Sequence, residues 1–236
     1  TATKAGVSRE EADGFSLRSH QKAVAAIEAG RFKDEIVAVE VKNRKGVTVV
    51  DTDESPRADT SVEALGRLRP AFVRDAPDDI EVHVVTAGNA PGLNDGAAAI
   101  MVASLEYAEA NGLAIDAIIS GYATGATEPQ DLFFAPIAAV NNLMAKEGKT
   151  VGDYDIVEVN EAFAVQAIAD MNALGMDEAR VNVNGGAVAL GHPIGASGTR
   201  ILVTLLNAMD QQSAGTGLAT LCLGGGNAVA LSVEKA

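Results

Sequence analysis

The sequence predicts a layered α/β fold, and two observations lead to that prediction. Short apolar runs with the character of strands, at residues 115–121, 156–159 and 181–183, alternate along the chain with longer helical stretches. The chain then ends on GLATLCLGGGNAVALSVE, residues 217–234, in which two apolar runs flank a glycine-rich turn. This pattern is typical of an antiparallel hairpin.

The first part of the chain predicts one long helix. Ser8 and Glu11 have the spacing of a capping box, an amphipathic stretch follows, and Gly30 is placed to end the helix. The next segments predict, in order, a strand at 34–41, a surface loop at 42–59 and a short helix at 60–68.

The middle of the chain is richer in small and apolar residues than the part before it. Residues 86–104, TAGNAPGLNDGAAAIMVAS, predict a glycine-rich loop followed by a buried apolar segment. Further helices are predicted at 105–111, at 135–146, from near Glu161, and at 197–209.

Composition excludes several functional classes. The formal net charge of −14 argues against a nucleic-acid-binding protein, which needs clustered Lys and Arg to neutralise phosphates. The sequence has no apolar run of about 18 residues that would predict a membrane-spanning helix, and TATKAGVSREEAD at its start has no apolar signal region. Cys222 is the single cysteine, so no intrachain disulfide forms, and we expect a cytoplasmic protein.

A long glycine-rich motif runs from Asn182 to Gly198 and contains His192 directly before a predicted helix. So many glycines let backbone approach a ligand closely, and a neutral histidine is a good proton acceptor or hydrogen-bond donor. The alternative is that this loop is only a tight connection between a strand and a helix and has no catalytic or binding role. The many glycines and Pro193 argue against this alternative. His20 and His83 have no such setting, and His20 is expected on the surface.

Two shorter motifs add candidate residues. Cys222 precedes Leu-Gly-Gly-Gly-Asn, whose backbone N–H groups can lie beside the thiol, although free cysteines are as often buried apolar residues. Asn160, in Val-Asn-Glu-Ala-Phe-Ala, follows a buried strand, and its amide can hold a water or a carbonyl oxygen. The alternative for Asn160 is an ordinary helix N-cap, which spacing alone favours.

Together these motifs resemble the thiolase family. NEAFA, GGAVALGHPIGASG and CLGGG occur in the order that this family shows, and AGNAPGLNDGAAA, SREEAD and LRPAF are similar to other thiolase segments. The resemblance covers essentially the whole chain. It implies two similar α/β/α/β/α halves with a loop domain inserted in the first. Residues 1–88 would then be the latter part of the loop domain, 89–112 the last piece of the N-terminal half, and 113–236 the C-terminal domain.

The resemblance also implies catalytic roles. Cys222 matches the acid/base that moves a proton to or from the substrate α-carbon, and His192 matches the histidine that activates the nucleophile and helps bind the thioester oxygen. Asn160 matches the residue that holds a water in an oxyanion hole, and the N–H of Gly224 matches a donor to a second such hole. The family's nucleophilic cysteine lies in the N-terminal half and has no counterpart in this sequence, so we expect this chain alone to be inactive.

Coenzyme A is the implied substrate and product, with no metal and no further cofactor. Arg57 matches a basic residue near the nucleotide end, and Pro91 stands where many members have a serine that bonds the pantetheine. Ala64 replaces another frequent serine, and residues 131–136 depart from the usual glycine-rich pattern, which affects acyl-chain preference. The implied contacts are Arg57, Phe72, Ala87, Pro91, Ala162 and Phe163.

The expected function is acyl transfer between acyl-CoA thioesters, by thiolytic cleavage of 3-ketoacyl-CoA or by Claisen condensation, within fatty acid and lipid metabolism. The expected partners are acyl-CoA, CoA, the N-terminal thiolase segment and further copies in a homodimer or homotetramer. One alternative is a non-catalytic thiolase-like subunit that binds acyl-CoA or assembles a partner, against which the intact His192, Cys222 and Asn160 argue. A condensing enzyme of the ketoacyl-synthase type would have a second histidine near Asn160 and an aromatic residue at 222, and the sequence has neither.

Overall fold

The structure is a computed structural model, and it describes residues 1–44, 46–77, 80 and 83–236. Its helices are α1 Ala2–Ala5, α2 Arg9–Glu28, α3 Val62–Gly66, α4 Leu105–Ala110, α5 Ala135–Glu147, α6 Ala164–Leu174, α7 Ala187–Leu190 and α8 Ser197–Gln212, with 3₁₀ turns at Pro129–Phe134 and Val151–Asp153. Its strands are β1 Val39–Asn43, β2 Gly46–Val50, β3 Ala117–Ala126, β4 Ile156–Val159, β5 Thr216–Leu223 and β6 Asn227–Lys235. Among the described residues, no helix is both long and apolar enough to cross a membrane.

Four strands form the central sheet, in the order β3-β6-β5-β4. Strands β4 and β5 are parallel, and the other neighbours are antiparallel. The predicted hairpin near the C-terminus is confirmed as β5 and β6, and the predicted strand at 156–159 is confirmed as β4. Apolar side chains of α8 pack on one face of the sheet, and those of α5 and α6 pack on the other. The sheet therefore lies between two helical layers.

The long N-terminal helix forms as predicted. The Ser8 side chain accepts from the Glu11 N–H, and the Glu11 carboxylate accepts from the Ser8 N–H at 2.7 Å, which completes the capping box. The helix ends at Glu28, and Gly30 follows it with a φ of 71°. Its small buried residues, Ala12, Ala23 and Ala26, let α2 pack closely against its neighbours.

The strand predicted at 34–41 is misplaced, and the loop predicted at 42–59 contains a strand. The chain turns through Arg31 to Glu35 around the buried Phe32, and β1 begins only at Val39. Strands β1 and β2 pair as an antiparallel hairpin in which every described residue is exposed. The alternating valines favoured strands, but the polar residues between them concealed the second one.

The apolar segment that was predicted to be buried is exposed. Residues 91–104 form neither helix nor strand, and Leu93, Met101 and Val102 are 93%, 88% and 71% exposed. Strand β3 begins beside this segment with Ile118 and Ile119, which are also exposed. We call residues 97–105 the exposed apolar segment. A contiguous apolar surface of this kind marks an interaction site.

The remaining differences are boundaries. The helices predicted at 105–111, 135–146 and 197–209 are confirmed within a few residues. Helix α6 begins at Ala164 rather than near Glu161, and the strand predicted at 181–183 is reduced to a single bridge between Val181 and Val157.

Candidate active site

The predicted catalytic residues lie at one edge of the central sheet. Asn160 directly follows β4, and its backbone N–H donates to the carbonyl of Thr220 on β5 at 3.0 Å. Cys222 lies two residues further along β5, and Gly224 opens the exposed turn that follows. His192 lies in the loop between α7 and α8, and its Nε2 is 3.4 Å from Asn160 Nδ2. The fold therefore places Asn160 and His192 in contact, with Cys222 on the neighbouring strand.

Ser197 fixes the orientation of the His192 ring. His192 Nδ1 lies 2.6 Å from Ser197 Oγ, and this hydroxyl donates to the carbonyl of Pro193 at 3.0 Å. With the single hydroxyl proton of Ser197 assigned to the Pro193 carbonyl, Nδ1 is the donor to Ser197 and the lone pair is on Nε2. Burial, and secondly the positive charge of Arg200, lower the pKa of His192. A neutral imidazole whose Nε2 carries the lone pair, beside the Asn160 amide, is suited to accept a proton.

Asn160 is fully buried at the floor of this site. Its Nδ2 faces His192, whereas its Oδ1 has no hydrogen-bond partner among the described residues. Its alternative role as a helix N-cap is wrong, because the N-cap of α6 is Phe163. A buried amide held beside a histidine, with one acceptor unused, is suited to bind a ligand or water.

Cys222 is a half-buried free thiol. Burial, and secondly the negative charge of Asp170, raise its pKa to about 11. A thiol with a raised pKa keeps its proton at neutral pH, so it is a poor resting nucleophile. Its high proton affinity instead suits exchange of a proton with a weakly acidic carbon.

A buried carboxylate that the sequence analysis missed organises the glycine-rich loop. Glu161 accepts from Ser19 Oγ at 2.7 Å, from Asn182 Nδ2 at 2.8 Å and from the Val188 N–H at 3.0 Å. A Cβ at Gly186 would overlap the Glu161 carboxyl group. The close packing against Glu161 therefore explains why a glycine stands at this position. In the sequence Glu161 is only the second residue of the NEAFA motif, and nothing there indicates that Ser19, Asn182 and Val188 are its partners.

We expect Gly186→Ala to lower the free energy of unfolding by about 1–3 kcal/mol, the usual cost of overpacking a well-packed interior. The Glu161 side chain cannot move aside without losing its three hydrogen bonds. Urea unfolding measures the effect. Gly195→Ala is the matched control in the same loop, because a Cβ there meets no atom within 4 Å and the residue does not need a positive φ. Equal stability of the two variants would contradict this account of Gly186.

The loop at residues 86–96 packs directly on the histidine loop. The His192 N–H donates to the Gly92 carbonyl at 3.2 Å, and the Asn94 side chain fills the space above Gly191. Two predicted coenzyme A contacts, the exposed Ala87 and the half-buried Pro91, belong to this loop. Pro91 directly precedes Gly92, whose carbonyl accepts from the His192 N–H.

Two further predicted contacts meet in one cleft. Phe72 and Phe163 both line a cleft of about 340 Å³, and Phe133 packs edge-on against Phe163 at 5.2 Å between ring centroids. Phe72 is 60% exposed and has a φ of 60°, an uncommon backbone conformation for a bulky residue. Ala162 is buried outside this cleft, where its N–H donates to Gln166 Oε1 at 3.0 Å.

The sixth predicted contact, Arg57, is exposed and lies on a loop without regular structure. Its backbone N–H donates to Nδ1 of His20 at 3.1 Å. His20 is only 6% exposed, so the expectation that it is a surface residue is wrong. Its polar neighbours in the sequence concealed that the ring packs beneath the Arg57 loop.

Comparison with known proteins identifies the family. A model described as "Thiolase, C-terminal domain" matches residues 113–235, and one described as "Thiolase, N-terminal domain" matches residues 1–106. The chain belongs to the thiolase family. The resemblance seen in the motifs is therefore confirmed, and every predicted site residue lies within the matched regions.

Thiolase relatives agree over nearly the whole chain. Acetyl-CoA acetyltransferases of Pseudomonas aeruginosa and Paracoccus denitrificans are each 52% identical to it over 99% of its length. The crystal structure of the Bacillus anthracis acetyl-CoA acetyltransferase superposes with a TM-score of 0.94 at 42% identity, and human mitochondrial 3-ketoacyl-CoA thiolase with 0.90 at 35%, each over 100% of this chain. The predicted layered α/β thiolase fold is confirmed. The chain spans 58% of the length of each of these four proteins.

Proposed function

We propose that this chain takes part in acyl transfer between acyl-CoA thioesters, and that it supplies the histidine, the asparagine and the acid/base cysteine. The observation that carries the proposal is the contact between His192 Nε2 and Asn160 Nδ2, at 3.4 Å, at the sheet edge where Cys222 also lies. Thiolysis and condensation share this machinery because they are the two directions of one reaction.

In the proposed mechanism, Nε2 of His192 accepts the thiol proton of the nucleophilic cysteine, which belongs to the N-terminal half of a thiolase. The resulting thiolate attacks the thioester carbonyl, and the CoA thiolate leaves with a proton from the Cys222 thiol. His192 keeps the proton that it accepted and returns it to the nucleophilic cysteine when the new carbon–carbon bond releases that thiolate. The Nε2–H of the protonated ring and Nδ2–H of Asn160 are then adjacent donors for a developing oxyanion, either directly or through a water. Ser197 keeps the ring in this orientation throughout.

Cys222 acts in the carbon–carbon step of the proposed mechanism. Cys222 enters this step as a thiolate, because its thiol has given its proton to the departing CoA thiolate during acylation. The thiolate removes the α-proton of the second acyl-CoA during condensation, and during cleavage the thiol gives a proton back to the α-carbon. The enolate oxygen formed in between needs donors, for which we propose the N–H of Gly224 in the adjoining turn. The raised pKa of Cys222 supports this role, because a thiolate of high proton affinity is a stronger base.

Coenzyme A is proposed to lie along the face formed by the loops around His192. Phe72 and Phe163 line the cleft of about 340 Å³. Ala87, Pro91 and Ala162 are proposed as further contacts of the pantetheine chain. Arg57 is proposed to contact the nucleotide phosphates. A local cation is needed for this contact, since the chain as a whole has a net charge of −14.

The exposed apolar segment supports the proposed partners. Its residues, together with Ile118 and Ile119, leave apolar side chains in solvent that another thiolase segment or subunit can cover. We propose the N-terminal thiolase segment and a homodimer or homotetramer as these partners. The division at residues 88 and 112 and a cytoplasmic location remain parts of the same proposal, the latter supported by the free thiol of Cys222.

The test is an activity assay on two proteins. We expect the 236-residue chain alone to show no turnover of acetoacetyl-CoA with CoA, because its single cysteine is the acid/base. A chimeric enzyme, in which the segment of the Pseudomonas aeruginosa relative that precedes the matched region is joined to this chain, should turn over. His192→Ala in that chimeric enzyme should reduce kcat by about a hundredfold or more.

Two outcomes would overturn the proposal. Turnover by the chain alone would show that Cys222 is a nucleophile. A folded chimeric enzyme that binds acyl-CoA but does not turn it over would favour the non-catalytic subunit.

A further inference from the structure

His20 links the Arg57 loop to the centre of the protein. The ring is buried on α2, and its Nδ1 accepts the backbone N–H of Arg57 at 3.1 Å across 37 positions of sequence. The residue before it, Ser19, donates to Glu161 at 2.7 Å and accepts from the Gly186 N–H at 3.1 Å. Consecutive residues of one helix therefore hold the glycine-rich loop and the Arg57 loop.

The loop has few other means of holding its shape. Residues 51–60 contain no helix or strand, and most of their side chains are exposed. Within the loop, the Thr60 N–H reaches the Arg57 carbonyl only at 3.5 Å. A long polar side chain on such a loop would sample many positions unless its backbone were anchored. The bond to His20 fixes the backbone of Arg57 itself.

We infer that His20 is a positioning residue, whose neutral ring anchors Arg57 for contact with the phosphates at the nucleotide end of coenzyme A. This inference rests on the proposed function for its ligand, but the anchoring itself depends only on the bond from the Arg57 N–H to His20 Nδ1. His20 does not touch the ligand; it acts through the backbone of Arg57.

The protonation state of His20 decides whether the bond exists. Nδ1 can accept from Arg57 only while it is unprotonated, so the ring proton must be on Nε2. Burial, and secondly the positive charge of Arg57, lower the pKa of His20. The elements packed on α2 include α3, α6 and α7, and among the described residues Arg57 is the charged group that affects the ring. The ring is therefore neutral at neutral pH. Acidification protonates Nδ1 of His20, which then faces the Arg57 N–H as a second donor, so the hydrogen bond is lost.

Two substitutions separate the hydrogen bond from the packing. His20→Leu fills a similar volume but has no acceptor, whereas the Oδ1 of His20→Asn can take the place of Nδ1. Trypsin at pH 8 cleaves after Arg57, so its rate reports how firmly the loop is held. We expect His20→Leu to accelerate this cleavage by about three- to tenfold, the effect of losing one hydrogen bond, and His20→Asn to restore the wild-type rate. Cleavage after the exposed Arg74 is the internal control.

Calorimetric titration with coenzyme A tests whether the anchored Arg57 contributes to binding of this ligand. The Kd should rise by a similar factor in His20→Leu and return in His20→Asn. Unchanged cleavage after Arg57 in His20→Leu would overturn the inference and leave the proposed function untouched. Equal coenzyme A affinity of wild type and His20→Leu would overturn the positioning role. Faster cleavage in a protein whose wild type binds no coenzyme A would instead contradict the proposed function.

Amide exchange gives a third measurement that no merely structural role would reproduce. As the pH is lowered through the range in which the NMR signal of the His20 ring itself shows protonation, protection of the Arg57 amide in the wild type should decrease relative to His20→Asn, which has no titrating group at that position. A constant ratio across this range would show that the ring does not control the bond.

Discussion

Cys222→Ser in the chimeric enzyme is expected to slow exchange of acetyl-CoA α-protons by about a hundredfold to ten-thousandfold, the usual contribution of a general acid/base. A serine hydroxyl is a far weaker acid than a thiol, so it cannot alternate between donor and base at neutral pH. The substitution is close in size, and Cys222 is half-buried on β5, so the strand should remain intact. Deuterium exchange of acetyl-CoA, followed by mass spectrometry, measures the loss.

Acyl transfer to the nucleophilic cysteine should survive this substitution in part. In the proposed mechanism that step depends on Nε2 of His192 and on Asn160, whose hydrogen bonds do not involve Cys222. Radiolabel transfer from acetyl-CoA to the enzyme measures it, and His192→Ala is the comparison variant that should impair both steps. Wild-type exchange of α-protons in Cys222→Ser would show that Cys222 is only a buried apolar residue.

The sequence predicted the parts of the fold that local chemistry determines. The capping box at Ser8, the hairpin around residues 224–226 and the amphipathic α8 each have a pattern that tertiary contacts do not change. Strands β1 and β2 are solvent-exposed, so no alternation between buried and exposed residues marked their boundaries. The exposed apolar segment was predicted to be buried because it is apolar. Apolar composition predicts burial, but it does not say whether the same chain or another one buries the segment.

The candidate site shows the same division. His192, Asn160 and Cys222 could be found because they belong to motifs with distinctive spacing. Glu161 and His20 could not be assigned their roles, because their partners are remote in sequence and only the fold brings Ser19, Asn182 and Arg57 to them. Polar residues that act in the interior have no periodic pattern of their own.

Glu158 is a buried carboxyl group next to the candidate site that has no hydrogen-bond partner among the described residues. Glu158 lies on β4 two residues before Asn160, and alternation along a strand puts both side chains on the face that α8 covers. It is fully buried, and its nearest cation is Arg200 Nη1 at 3.9 Å. Burial raises its pKa to about 8, although the charge of Arg200 opposes the rise.

This shift makes stability depend on pH. Between the ordinary value of 4.5 and about 8, the folded protein keeps the Glu158 proton while the unfolded chain releases it. The unfolded state then binds fewer protons than the folded state, so the free energy of unfolding falls as the pH rises through this window. Each unit of pKa shift corresponds to about 1.4 kcal/mol. The effect of Glu158 is therefore small at pH 4.5 and largest near pH 8.

Glu158→Gln is expected to leave stability nearly unchanged at pH 4.5 and to raise the free energy of unfolding by more than about 2 kcal/mol at pH 8. Glutamine resembles the neutral carboxylic acid in shape, so it keeps the packing against Arg200 while removing the group that must ionise. Urea unfolding at several pH values measures the difference between variant and wild type.

Asp170, whose pKa burial also raises to about 8, is present in both proteins and cancels from that difference. Glu109→Gln, at an exposed position of α4, is the matched control for the removal of one carboxyl group. A pH-independent difference for Glu158→Gln would show that burial does not raise the pKa of Glu158 in the folded protein.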